Sequence, residues 1–171
     1  LIGDYINTLA IDPVTPDTLY VGTDEGVYKS EDGGGTWITA NSGLTGSQVR
    51  SFVINPTMPD ILYAGMWAGG VFKSEDGGES WSTTGSGLIE SGVYSMVIDP
   101  NAPDTLYAGT WLGRVYKSEN RGATWSESSN GLIMTAVYSL AIDTQPTPML
   151  YAGIYGKGVF KSEDEGASWS A

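Results

Sequence analysis

Two groups of side chains in this sequence could do chemistry, and they are distributed differently. The first is made of residues scattered singly along the chain: Arg50, Trp67, Tyr94, Trp111, Tyr138 and Tyr155, with Asp24, Glu25, Arg114 and Lys157 at neighbouring positions. Aromatic rings mixed with guanidinium and carboxylate groups suit a sugar, whose C–H faces stack on rings while its hydroxyls take charged hydrogen bonds. The second is a crowded turn, KSEDGGGTW at 29–37, where a Ser, an Asp, a run of glycines and a Trp could hold a cation or a substrate.

Much other chemistry is absent. The 171 residues contain no Cys and no His, so there is no disulfide framework, no thiolate or imidazole metal site and no neutral-pH base. No cofactor and no metal is expected. Twenty acids against eight bases give a net charge of −12, which argues against nucleic acid and anionic membrane surfaces as partners. No apolar run approaches the ~20 residues that cross a bilayer, so membrane insertion is not expected. The chain starts at Leu1 without Met, which leaves the compartment open.

The crowded turn is not unique. It returns as KSEDGGESW at 73–81, KSENRGATW at 117–125 and KSEDEGASW at 161–169, so Ser30, Ser74, Ser118 and Ser162 follow one another at intervals of 44. Self-similarity at this period marks a propeller or solenoid. In the third copy, Val93 to Ile98 reads as a mostly buried strand ending at Asp99-Pro100, and TLYAGT at 105–110 reads as a second. After the WLGR loop, VYKSE is a third strand, and a fourth begins at Trp125. The expected fold is all-β: a β-propeller with four blades of four antiparallel strands, spanning about 1–43, 44–87, 88–131 and 132–171. The chain forms either a closed four-bladed ring or half of an eight-bladed ring completed by a homodimer. A third possibility is an excised or engineered part of a longer propeller with a structural role.

The turn residues also resemble a known family. SEDGGGTW at 30–37 is similar to the Asp-box, or bacterial neuraminidase repeat, with the pattern S-x-D-x-G-x-T/S-W. Its positions here are Ser30, Asp32, Gly34 and Trp37; Ser74, Asp76, Gly78 and Trp81; Ser118, Asn120, Gly122 and Trp125; and Ser162, Asp164, Gly166 and Trp169, with Asn120 the one departure. IDPNAPDTLYAGT and GVFKSEDGGESW resemble blades of xyloglucan-hydrolysing enzymes, sortilin-type receptors and photosystem II assembly factors. The resemblance implies the propeller fold and, through such relatives, a secreted or cell-surface setting. It does not choose among their functions.

The turn chemistry needs no ligand. A Ser or Asp oxygen at a hairpin mouth accepts backbone N–H groups that a tight turn leaves unpaired, and Asn120 keeps that acceptor without the charge. The recurring Lys29, Lys73, Lys117 and Lys161 are expected to pair with nearby acids or lie along a strand. Function is therefore expected where the copies differ, on the face formed by the loops between second and third strands and between blades. The candidate ligand-binding residues are Trp67, Trp111, Tyr155, Tyr94, Tyr138 and Arg50. Acids on that face are few (Asp4, Asp24, Glu25 and Glu90), whereas a glycosidase needs two carboxylates ~5–9.5 Å apart across the scissile bond. The chain is accordingly expected to be a non-enzymatic binding or scaffolding module for a glycan or a protein. The alternative is a fragment or subunit of a xyloglucanase-type glycoside hydrolase with Asp24 or Glu25 as the acid.

Overall fold

The computed structural model describes residues 5–46, 48–88, 92–145 and 148–171. Each copy of the repeat folds as a separate antiparallel sheet whose strands pair in chain order. The first sheet contains β1 (Ile6–Ile11), β2 (Leu19–Thr23), β3 (Gly26–Ser30) and β4 (Ile38–Thr39). The second contains β5 (Val49–Ile54), β6 (Leu62–Met66), β7 (Val71–Ser74) and β8 (Ser82–Thr83). The third contains β9 (Val93–Ile98), β10 (Leu106–Thr110), β11 (Val115–Ser118) and β12 (Ser126–Glu127). The fourth contains β13 (Val137–Ile142), β14 (Leu150–Ile154) and β15 (Gly158–Ser162), and its outer strand is reduced to a single bridge between Lys161 and Ser170.

The same local chemistry ends the same strand in every blade. Asp12, Asn55 and Asp99 each accept two backbone N–H groups from the residues two and three further on, and Asp143 accepts from Gln145 and Met149. These side-chain turns reverse the chain after the inner strand. At the same end of the blade, beside that reversal, Ser30 Oγ accepts the Gly34 N–H at 2.9 Å while Asp32 Oδ1 accepts the Thr36 N–H at 2.8 Å. The second, third and fourth turns repeat both bonds, and in the third the acceptor is Asn120 Oδ1, 2.9 Å from the Thr124 N. Gly34, Gly78, Gly122 and Gly166 take φ from 81° to 93°, a region that costs other residues strain. The recurring lysines pair with the acid two residues on: Lys29 with Glu31, Lys73 with Glu75, Lys117 with Glu119 and Lys161 with Glu163.

The core consists of three joints between consecutive blades. Tyr20, Val27 and Ala40 of the first blade pack on Val49, Phe52, Leu62 and Trp81 of the second, and the pattern repeats at the next two joints. Each joint is pinned by a tyrosine hydroxyl donating to a backbone carbonyl of the next blade's turn: Tyr20 to Gly77, Tyr63 to Arg121 and Tyr107 to Glu165, at 2.9–3.1 Å. Trp81 and Trp169 donate their indole N–H back across the joint to the Ala40 and Ser128 carbonyls, and Trp125 donates to Thr84 Oγ1. The joints also require a close approach. A Cβ on Gly65 or Gly109 would lie 2.7 or 2.6 Å from the Val93 or Val137 side chain of the next inner strand.

The blades thus form an arc in which β1 packs on β5, β5 on β9 and β9 on β13. The outer faces of the first and fourth blades are open: Leu9 and Val159 are both exposed, though their counterparts in the joints are buried. Among the described residues no helix is long and apolar enough to cross a membrane.

Ser74 is buried, and its hydroxyl accepts the Gly78 amide, so Ser74→Ala leaves that N–H unpaired. The expected cost is about 1–3 kcal/mol, read as a lower melting temperature. Turn hydrogen bonds hold Asp32 and Asp76 down from 3.8 to about 2, and they also lower Asp164. A depressed carboxyl stabilises the fold above its unfolded value and loses that contribution as pH falls through the folded one. The melting temperature should therefore fall between about pH 4 and about pH 2. Asp32→Asn with Asp76→Asn should flatten this dependence, because Asn120 shows that the turn forms around an uncharged acceptor.

Candidate functional site

The inner strands carry the same irregularity in every blade. Ile6 pairs with Thr23 and Thr8 with Gly22, so Asn7 is an extra residue with no partner on β2. Arg50, Tyr94 and Tyr138 are the extra residues of β5, β9 and β13. A β-bulge of this kind re-aims one side chain without changing the rest of the ladder. The bulge keeps Val93 and Met96, three apart, both buried in one joint, although strict alternation would put them on opposite faces.

A second position is fixed just beyond the end of the second strand. Trp67 N–H bonds to the Gln48 carbonyl, Trp111 to Gly92, Tyr155 to Ala136 and Asp24 to Tyr5, at 2.8–3.3 Å. Each bond ties the tip of the hairpin to the start of its own inner strand. Every blade therefore presents two side chains on this face, one from the bulge and one from the tip. From the first blade to the fourth the pairs are Asn7 with Asp24, Arg50 with Trp67, Tyr94 with Trp111, and Tyr138 with Tyr155.

These eight residues touch in one continuous row. Asn7 donates to Asp24 Oδ1 at 2.9 Å, and Arg50 donates to Asn7 Oδ1 at 2.8 Å across the first joint. Arg50 also lies 3.6 Å from Asp24, and its guanidinium sits 5.5 Å from the Trp67 ring centre. The Trp67 ring meets Tyr94 edge-on at 5.3 Å and Trp111 at 5.7 Å, while Tyr94 stacks on Trp111 at 5.7 Å. Tyr94 then contacts Tyr138, and Tyr138 contacts Tyr155, both at 5.3 Å. Such ring pairs contribute about 0.5–1.5 kcal/mol each beyond their buried area.

The row is polar and charge-paired from Asn7 and Asp24 to Arg50 and aromatic from Trp67 of the second blade to Tyr155 of the fourth. Trp67, Trp111, Tyr138 and Tyr155 keep large exposed surfaces. Burial raises the Tyr94 phenol above its ordinary value, with a smaller push from Tyr138 and an opposing pull from Arg50. Among the described residues no three acids gather as a metal-ligand set.

All six candidate ligand-binding residues fall in this row, and Asp24, the candidate acid, joins Asn7 at its polar end. Arg114 does not join: its guanidinium turns to Glu127 on the rim of its own blade. Asp4 and Glu90 lie outside the described residues. What the sequence reading missed was the bulge. Its signal was the three-residue spacing between large apolar side chains, Val49 to Phe52, Val93 to Met96 and Val137 to Leu140.

No family model matches the chain, and no curated protein matches it. Solved structures do. An ancestral GH74 enzyme superposes with a TM-score of 0.84 at 23% identity, covering 98% of this chain and 24% of that one. The GH74 xyloglucanase from Xanthomonas campestris gives 0.78 at 20% identity, covering 98% and 30%. An extracellular domain assigned to a one-component system from B. thetaiotaomicron gives 0.74 at 17% identity, covering 97% and 22%. The chain is thus similar in fold to these propeller-type proteins and spans less than a third of the length of each.

The expectation of a non-enzymatic module is corrected by this comparison, since two of these structures that share the arc are those of enzymes. The expectation rested on too few carboxylates in this chain. That count is uninformative where a chain spans about a quarter of an enzyme's length, because a second acid need not lie on these four blades.

The Tyr94 environment can be read directly. An ultraviolet pH titration of the protein minus that of Tyr94→Phe should isolate one phenol that ionises above the ordinary value of 10. A difference curve centred at or below 10 would contradict the half-buried, ring-packed placement.

Proposed function

We propose that this chain supplies four blades of a carbohydrate-active propeller, that its repeated turns are Asp-boxes, and that its aromatic row seats a polysaccharide. The observation that carries this reading is the row itself. Two side chains per blade, held at equivalent backbone positions, form a continuous strip of rings with a polar end. Successive sugar rings can stack along Trp67, Trp111 and Tyr155, while Asn7, Asp24 and Arg50 take hydroxyl groups. The similarity in fold to GH74 structures, one of them a xyloglucanase, supports xyloglucan as the ligand, with the row as a substrate-holding wall. In that role the row orients the chain and excludes water from one side. Asp24 is engaged by Asn7 and Arg50, which suits it to positioning.

Titration with xyloglucan and cello-oligosaccharides, followed by tryptophan fluorescence, tests the reading. Trp67→Ala and Trp111→Ala should each weaken binding about tenfold, the equivalent of ~1.4 kcal/mol, with a lower melting temperature from the lost ring contacts but the sheets intact by circular dichroism at the temperature of the titration. Binding that is indifferent to both substitutions, or no response to any glycan, would sink the proposal.

A further inference from the structure

The three joints inside the chain define what a blade face requires, and the two end faces fall short of it in matching ways. On the outgoing face of the fourth blade, Val159 is 62% exposed, whereas its equivalents Val27, Val71 and Val115 are 0–1% exposed. Tyr151 is half-buried, while Tyr20, Tyr63 and Tyr107 are buried and bonded to the next turn. Its hydroxyl makes no hydrogen bond among the described residues. A Cβ on Gly153 would meet only Ser139 of its own inner strand, whereas a Cβ on Gly22, Gly65 or Gly109 would lie 2.6–2.7 Å from the next blade's Val49, Val93 or Val137.

The incoming face of the first blade lacks the complementary half. Leu9 is 57% exposed, whereas Phe52, Met96 and Leu140 at the same position are 5–9% exposed. Ile6, the equivalent of the three valines, is exposed as well. Gly33 already holds φ 69°, beside 65°, 56° and 55° at Gly77, Arg121 and Glu165, the three turn residues whose carbonyls receive the tyrosines. Trp37 is half-buried and turns its indole N–H to its own Gly34 carbonyl, where the other three reach into the preceding blade.

We propose that these two faces are a head-to-tail docking surface for a second copy of this chain. Tyr151 of one copy donates to the Gly33 carbonyl of the other, Ile6 takes the space beside Gly153, and Val159 packs on Leu9 and Trp37. A copy of the chain supplies each missing group at the spacing of the three existing joints, and continuity with those joints selects it over a partner of another fold. Two such contacts related by a two-fold axis close an eight-bladed ring, which leaves no open face. The aromatic rows of both copies then line one rim.

Light scattering across micromolar to millimolar concentrations, with charge placed on each open face, tests this. The 18.1 kDa chain should give twice that mass. Leu9→Glu and Val159→Glu should each halve it, because either change spoils both contacts of the ring. Both positions are exposed in the single chain, and circular dichroism should show the sheets intact. An equimolar mixture of the two variants should recover the doubled mass, since the intact outgoing face of one meets the intact incoming face of the other. Wild-type chain of single mass throughout, a dimer indifferent to either variant, or open polymers beyond two copies would each overturn the proposal. Glycan binding is read separately, so failure here does not decide the function of the row.

Discussion

A tyrosine hydroxyl that crosses from one sheet to a backbone carbonyl in the next sheet's turn is the constraint on which this structure depends. The donor stands on the second strand, and the acceptor exists only where the turn holds a left-handed residue at that point. Around the bond lie a valine from the third strand, a large apolar residue from the next inner strand and the indole of the next turn, all removed from water. Burial of that surface supplies most of the stabilisation, and the polar bond sets the register. Because neighbouring joints repeat one geometry, the angle between blades is repeated, and the bulge and tip residues of successive blades arrive side by side.

The crowded turn belongs to this scheme as a fastener. Its Ser and Asp oxygens consume the N–H groups that the reversal exposes, and its Trp ring closes the joint. In the third blade an amide does the work of the carboxylate with the same geometry, so an oxygen acceptor is what the turn requires. The lowered pKa of the other three carboxyls follows from that hydrogen bonding. It is a by-product of holding a turn, although perturbed carboxyls elsewhere often mark reactive groups.

Most of the architecture was legible in the sequence because the repeat is close and its punctuation is strong. The Asp or Asn after the inner strand, Gly within the second strand and the Ser-Asp-Gly-Trp turn each act through local backbone chemistry. The face that carries the differences followed from the blade register, and so did Trp67, Trp111 and Tyr155 at the hairpin tips. The continuity of the row was not legible, because it depends on how neighbouring blades lean together. The bulge was written in the spacing of Val93 and Met96 but was overlooked, since a short apolar run reads equally well as an ordinary buried strand. The inference from scarce carboxylates failed for a different reason: counting groups presumes that every reacting group belongs to the segment being counted.

The bulge residue in each inner strand is excused from pairing, and this separates two demands that a strand usually places on one side chain. Asn7, Arg50, Tyr94 and Tyr138 differ in size, charge and shape, yet the ladder on either side of each is the same. The position behaves as a socket: the fold stays indifferent to what is fitted there, while the rim of the arc takes its chemical character from the choice. A chain built this way can change what it recognises one blade at a time, by single substitutions that leave every joint intact.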